Sequence, residues 1–276
     1  MSYYQSLGFH KEPFSTSPDP SFFYRSKTHR TALNQLEIAI RLKRGLSIVL
    51  GDVGTGKTTL SRTLLNAFNS DESFEFYLIF DPSFQSEYQF IVHLSNLFKI
   101  NPVRKKSIDF KRAIQDFLFE KHFSENKTII LIIDECQKMS SPMLEILRIL
   151  LNYETNENKL LQLVLLSQLE LIPKIIKTVN FTDRIYFKHI LKPLVPEEVK
   201  EMIEFRLYQA GYHHTQPLFS DDAIQIVAQY SEGLLRRINH ICHKAMLKMI
   251  MCDMTIIDRS IVEQTIADEE ILVHAG

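Results

Sequence analysis

The chain has 276 residues, 45% of them hydrophobic and 24% charged, which suits one large α/β domain with a smaller appendage and excludes disorder as the default state. Its 32 basic and 33 acidic side chains leave a net charge of −1, so no global field draws it to nucleic acid or anionic lipid. Three scattered cysteines make no disulfide framework, no secretory leader opens the chain, and no apolar run approaches the roughly 18 residues of a membrane span, so a cytoplasmic location is expected, with any membrane role exercised through a partner.

Residues 1–30 carry Phe9, Pro13, Phe14, Pro18, Pro20, Phe22, Phe23 and Tyr24. Such an irregular segment with large anchors is expected to pack on the folded core. Phe23 and Tyr24 read as packing anchors, with stacking on an adenine ring as the alternative. Residues 28–44 read as an amphipathic helix with Leu33, Leu36 and Ile40 inward and Ile38 as a further candidate for that side. An apolar strand at 46–50 follows, then a helix at 58–68 and a strand at 74–80 closed by Asp81-Pro82. Helices are expected at 86–98 and 107–123, separated by a basic run (Arg104, Lys105, Lys106) that reads as a solvated loop, with phosphate contact as the alternative. Residues 128–133 are nearly all apolar, as in a strand covered on both faces. A helix is expected with Ser141 as its N-cap and Pro142 in its first turn, running to about Tyr153, and further strands are expected at 160–166 and 184–191.

Strands alternating with helices imply a doubly wound parallel sheet of the α/β class. After Pro193 the texture becomes helical, with expected helices at 196–210, 221–230, 234–251 and 259–270. The expected division is therefore an N-terminal segment at 1–30, a nucleotide-binding domain at 31–193 and an all-helical lid domain at 194–276.

Two motifs carry chemistry. Gly51-Asp52-Val53-Gly54-Thr55-Gly56-Lys57-Thr58 fits the Walker A pattern, between an apolar strand and the helical run at 58–68, and Thr59 beside it is counted with the loop as a nucleotide-binding residue. Glycines let such a loop turn its N–H groups toward phosphate oxygens, and the helix N-terminus adds a partial positive charge. Lys57 reaches β and γ phosphates and the Thr58 hydroxyl ligates Mg²⁺. The strand at 128–133 ends in Asp134-Glu135, at the edge where open parallel sheets bind ligands. Asp134 suits the Mg²⁺ shell, and Glu135 suits a general base that polarises the attacking water. These assignments call for ATP and Mg²⁺. His240 and His243 share a helix face but lack a third ligand, so no metal site is assigned to them.

Further stretches join these motifs: Phe9-x-x-x-Pro13-Phe14, Pro18-Asp19-Pro20-x-Phe22-Phe23-Tyr24-x-Ser26-x-x-His29, IIDECQ, LEILRILLNYET, LLSQLEL, Arg184-Ile185, Leu191-x-Pro193-Leu194 and Ser231-x-Gly233-x-x-Arg236-x-Ile238-Asn239. In this combination the chain resembles the ExeA/GspA-type AAA+ ATPases of bacterial secretion and pilus assembly, including the MshM-like proteins. The resemblance implies a P-loop NTPase fold with a C-terminal helical lid. It implies that Gln168 acts as sensor 1, with capping of the next helix as the alternative. It implies that Arg236 opens a lid helix as sensor 2, although Arg237 adjoins it, and that Arg184 is an arginine finger acting on a neighbouring subunit, with an ordinary surface arginine as the alternative. Departures from the family pattern are Cys136, Ser167, Leu169 and Leu235. Larger members continue into a membrane segment and a peptidoglycan-binding domain, so this chain is expected to be the stand-alone form.

The expected function is thus a Mg-dependent ATPase that energises or regulates an envelope assembly through a membrane-anchored partner, working as a homo-oligomeric ring or filament without inserting into the membrane itself. The alternative is a DNA-associated regulator of the transposition type that forms ATP-dependent oligomers on DNA. The near-neutral charge does not favour it.

Overall fold

Five apolar segments form one parallel sheet in the computed structural model, which describes residues 3–274. In chain order the elements are α1 (Tyr3–Ser6), α2 (Lys27–Arg41), β1 (Leu46–Leu50), α3 (Lys57–Ala67), β2 (Phe74–Ile79), α4 (Glu87–Leu97), α5 (Ser107–Phe123), β3 (Thr128–Ile133), α6 (Ser141–Leu150), β4 (Leu161–Ser167), α7 (Leu171–Lys177), β5 (Ile185–Ile190), α8 (Pro196–Gln209), α9 (Asp221–Ser231), α10 (Leu235–Met251) and α11 (Arg259–His274). The strand order is β2-β3-β4-β1-β5, and every pairing is parallel.

Burial along the strands follows from that order. The inner strands β1, β3 and β4 are buried at every residue, as both faces of a parallel sheet are covered by helices. The edge strand β5 alternates instead, with Tyr186, Lys188 and Ile190 exposed. A buried glutamine interrupts β4 without cost, because Gln162 accepts from the Gly45 N–H at 2.8 Å and donates to the Lys159 carbonyl at 2.8 Å.

Departures from the expected boundaries have local causes. The helix expected at 28–44 ends at Arg41, since Lys43 and Gly45 both stand at positive φ, 51° and 88°, and Ile38 lies on its exposed side, away from Leu33, Leu36 and Ile40. The helix expected to run to about Tyr153 stops at Leu150, and the N-cap before it is Ser140 rather than Ser141. The short α7 was expected only as the helix that Gln168 would cap, without bounds, because Pro173 sits inside a seven-residue run with no full apolar period.

The chain divides into two compact units. The sheet unit comprises Lys27–Asp52 and Leu60–Leu191, and its core joins the strands to residues of α4, α5, α6 and α7, among them Phe90, Leu118 and Leu147. The helical unit comprises the described residues up to Ser26, then Val53–Thr59, then those from Lys192 onward. Its core unites Phe9, Phe14 and Phe22 of the N-terminal segment with residues of α8 to α11, such as Val199, Ile241 and Met246. Phe23 is buried as well, and Tyr24 contacts Glu201 by its hydroxyl and the Phe205 ring at 6.1 Å. Within this unit Gly233 is irreplaceable in shape: its φ is +73°, and a Cβ there would lie 2.1 Å from the Leu194 carbonyl oxygen.

Candidate functional site

In the sheet unit, register sets the chemistry. The last residue of β1, Leu50, lies opposite Ser167, and the N–H of Gly51 donates to the Ser167 carbonyl at 3.0 Å. On the other side of β4, Ile133 at the end of β3 pairs with Leu165. Gly51, which opens the Walker A loop, and the Asp134-Glu135 pair therefore leave the sheet at one edge, a single strand apart.

Asp134 is buried, with 4% of its surface exposed. Its N–H donates to the Ile79 carbonyl at 2.8 Å, and its Oδ1 accepts from the Glu135 N–H at 2.9 Å. Glu135 follows in the left-handed region at φ +54°, which a non-glycine residue enters at a cost of about 1–2 kcal/mol. That reversal opens a short turn at Cys136–Lys138. Cys136 is fully buried, its thiol donates to the Ile133 carbonyl at 3.0 Å, and burial pushes it well above the ordinary thiol range. It serves as a small packing residue.

The loop residues Val53–Thr59 belong to the helical unit. Gly54 and Gly56 stand at φ +84° and +90°. Thr55 and Lys57 are buried, and Lys57, Thr58 and Thr59 form the first turn of α3. Asp52 and Val53 are exposed. The backbone N–H of Arg236, in the first turn of α10, donates to the Gly54 carbonyl at 3.3 Å. A Cβ on Gly54 would lie 2.9 Å from the Cβ of Arg236. The neighbouring Arg237 pairs with Glu232 at 2.9 Å, so it is Arg236 that meets the loop.

Each unit carries groups of the kind a triphosphate and its hard cation take: the loop in the helical unit, the acidic pair in the sheet unit. Left-handed glycines and a helix N-terminus make an anion cradle, while a threonine hydroxyl and a buried aspartate are oxygen ligands of the kind Mg²⁺ takes.

Two further expected residues stand differently. Gln168 follows β4 and its carbonyl accepts from the Leu171 N–H at 3.3 Å. Arg184 ends the turn before β5, whose first residue, Ile185, lies opposite Leu46 at the start of β1. It therefore occupies the opposite edge of the sheet from Glu135, in a shallow cleft with Arg44, Lys159 and Tyr186. His240 contacts Glu269 at 2.8 Å and His243 contacts Glu12 at 3.0 Å. Gln137, Ser167 and Lys174 also surround the acidic turn. In the sequence Gln137 stood out only as the end of IIDECQ and Ser167 only as a departure from the family pattern, and neither carried a role.

A Walker A loop after the fourth strand of the order β2-β3-β4-β1-β5, an acidic pair ending β3, and a C-terminal helical unit together give the AAA+ P-loop fold. Residues 40–175 match the AAA domain family. The chain is also similar to General secretion pathway protein A of Aeromonas hydrophila, with 34% identity over 248 residues; the match covers 89% of this chain and 44% of that protein. The chain thus spans less than half the length of this relative. Among solved structures it is similar to the ORC2 protein of Aeropyrum pernix (TM-score 0.69, 15% identity, 94% of this chain and 72% of that one). It is likewise similar to Cdc6p of Pyrobaculum aerophilum (TM-score 0.67, 16% identity, 89% and 67%) and to RuvB of Thermotoga maritima (TM-score 0.57, 14% identity, 86% and 68%). At these identities the structural likeness shows the fold alone. No helix among the described residues is long and apolar enough to cross a membrane.

Proposed function

We propose that this chain binds ATP with Mg²⁺ and hydrolyses it. The observation that carries the reading is the departure of Gly51 and of Asp134-Glu135 from one edge of the sheet, one strand apart. In this reading the N–H groups of the Gly51–Thr58 loop hold the phosphates, and the Lys57 ammonium engages the β and γ groups. The Thr58 hydroxyl and the Asp134 carboxylate would hold the metal, which supplies charge neutralisation on the β and γ oxygens when bound. Glu135 orients the attacking water and takes its proton. Gln168 and Arg236 act as polar sensors of the γ-phosphate.

We further propose that the energy serves an envelope assembly, in support of which stands the similarity to General secretion pathway protein A of Aeromonas hydrophila. The chain would act there through a membrane-anchored partner and as a homo-oligomer, as GspA-type resemblance implies.

Phosphate release tests the enzymatic reading. Glu135→Gln should keep nucleotide binding and lose at least about 100-fold in turnover, within the range general bases contribute. Lys57→Ala should lose binding itself. Normal turnover by Glu135→Gln would remove the general-base assignment. The same assay with double-stranded DNA checks the DNA-associated alternative: stimulation that falls steeply with salt would favour it over the envelope reading.

A further inference from the structure

The turn after β3 carries a side-chain network that the reaction as described leaves unused. Gln137 is half-buried and bonded at both ends of its amide. Its Oε1 accepts from the Gln168 N–H at 3.2 Å and from the Ser167 hydroxyl at 3.0 Å. A backbone N–H can only donate, so that end of the amide is the oxygen. The amide nitrogen is left to face Glu135, and donates to its Oε2 at 2.7 Å.

The turn itself is pinned to the sheet unit. The Lys174 ammonium, from α7, donates to the carbonyls of Gln137 and Met139, the latter at 2.9 Å. The carbonyl of Ser167 accepts the N–H of Gly51 at 3.0 Å. A continuous chain of bonded groups thus runs from Gly51 through Ser167 and Gln137 to the Glu135 carboxylate.

We propose that Gln137 is the positioning residue for Glu135 and that the Ser167 hydroxyl is its second anchor. The inference rests on the ATPase reading and adds to it what aims the base. A glutamate side chain has three rotatable bonds, and a base displaced by about 1 Å can lose on the order of 100-fold in rate. The amide suits the task because it is neutral: it fixes the carboxylate in place, whereas an ammonium or guanidinium partner would weaken it as a proton acceptor.

The test compares the full-length chain with Gln137→Ala, Gln137→Glu and Ser167→Ala, each also made in the Glu135→Gln background. Readouts are single-turnover hydrolysis at excess protein, affinity for a fluorescent ATP analogue, and Tm. Gln137→Ala should lose about 10- to 100-fold in rate while nucleotide affinity stays within about twofold. The near-isosteric Gln137→Glu should do the same by replacing the donor with a carboxylate, which answers the case in which the alanine variant folds poorly. Ser167→Ala should lose less, because the Gln168 N–H still holds the amide. In the Glu135→Gln background the Gln137 substitutions should add no further loss, since they act through the group already removed.

Wild-type rates in Gln137→Glu would overturn the inference. So would an equal loss with and without Glu135, or a loss matched by weaker nucleotide binding. Those results leave the ATPase reading standing, provided Glu135→Gln is inert. A wild-type chain without turnover would instead sink that reading, and this inference with it.

Discussion

His189 shows how one side chain on an edge strand ties stability to pH. It lies on the half-buried face of β5, its ring stacks beside Phe187 at 5.9 Å, and its Nε2 is buried without a hydrogen-bond partner. Burial holds the imidazole below the ordinary histidine range, against the opposing effect of a hydrogen bond to the Thr28 backbone. The folded state thus binds fewer protons than the unfolded one between its own lowered value and about pH 6.5, the unfolded value. Stability rises with pH across that window, is fully present above it, and is lost on acidification through it. Melting temperatures should therefore fall between about pH 7 and about pH 5 more steeply for the wild type than for His189→Gln. Parallel curves would show that His189 contributes nothing to the slope.

Arg206 on α8 plays the corresponding part for a whole element. Its guanidinium is buried to 7% exposure and donates to three backbone carbonyls of the N-terminal segment: Pro13 at 2.7 Å, Ser15 at 2.9 Å and Phe22 at 3.1 Å. It also lies 5.3 Å from the centre of the Phe22 ring. Burial lowers its pKa to about 10, which still leaves it charged at neutral pH. An irregular segment has no ladder to satisfy its carbonyls, so this one arginine takes the place of secondary structure. Arg206→Met keeps the apolar stem and removes every donor. It should cost at least about 3 kcal/mol and expose the first 26 residues to protease before the rest of the helical unit unfolds. Unchanged cleavage of the segment would mean that Phe9, Phe14 and Phe22 hold it unaided.

At the scale of the molecule, the position of Arg184 bears on assembly. It sits at the amino-terminal edge of the sheet, while the acidic pair leaves the carboxyl-terminal edge, so within one chain the sheet separates them. If Arg184 completes the site of a neighbouring copy, hydrolysis needs an assembled protein. The rate per subunit should then rise with protein concentration, and Arg184→Ala should flatten that rise while nucleotide affinity stays the same. A rate independent of concentration in the wild type would remove the role in trans.

The sequence by itself determined the α/β class, the parallel alternation, the glycine-rich loop and the acidic pair. All of these are local: apolar runs, a glycine pattern and two adjacent carboxylates are legible without knowing what packs on them. It also marked Phe9, Phe14 and Phe22 as anchors, though not the helices they would meet. Only the tertiary structure decided that β4 lies between β1 and β3, and so that Gly51 and Glu135 emerge one strand apart. The same holds for Gln137, whose bonds reach Ser167 and Gln168 some thirty positions along the chain, and for Arg206, which reaches 193 positions back to Pro13. The physical reason is common to these cases. Strand order and long-range hydrogen bonds follow from which buried surfaces and polar groups satisfy one another once the chain has closed on itself, and no window of neighbouring residues contains that information.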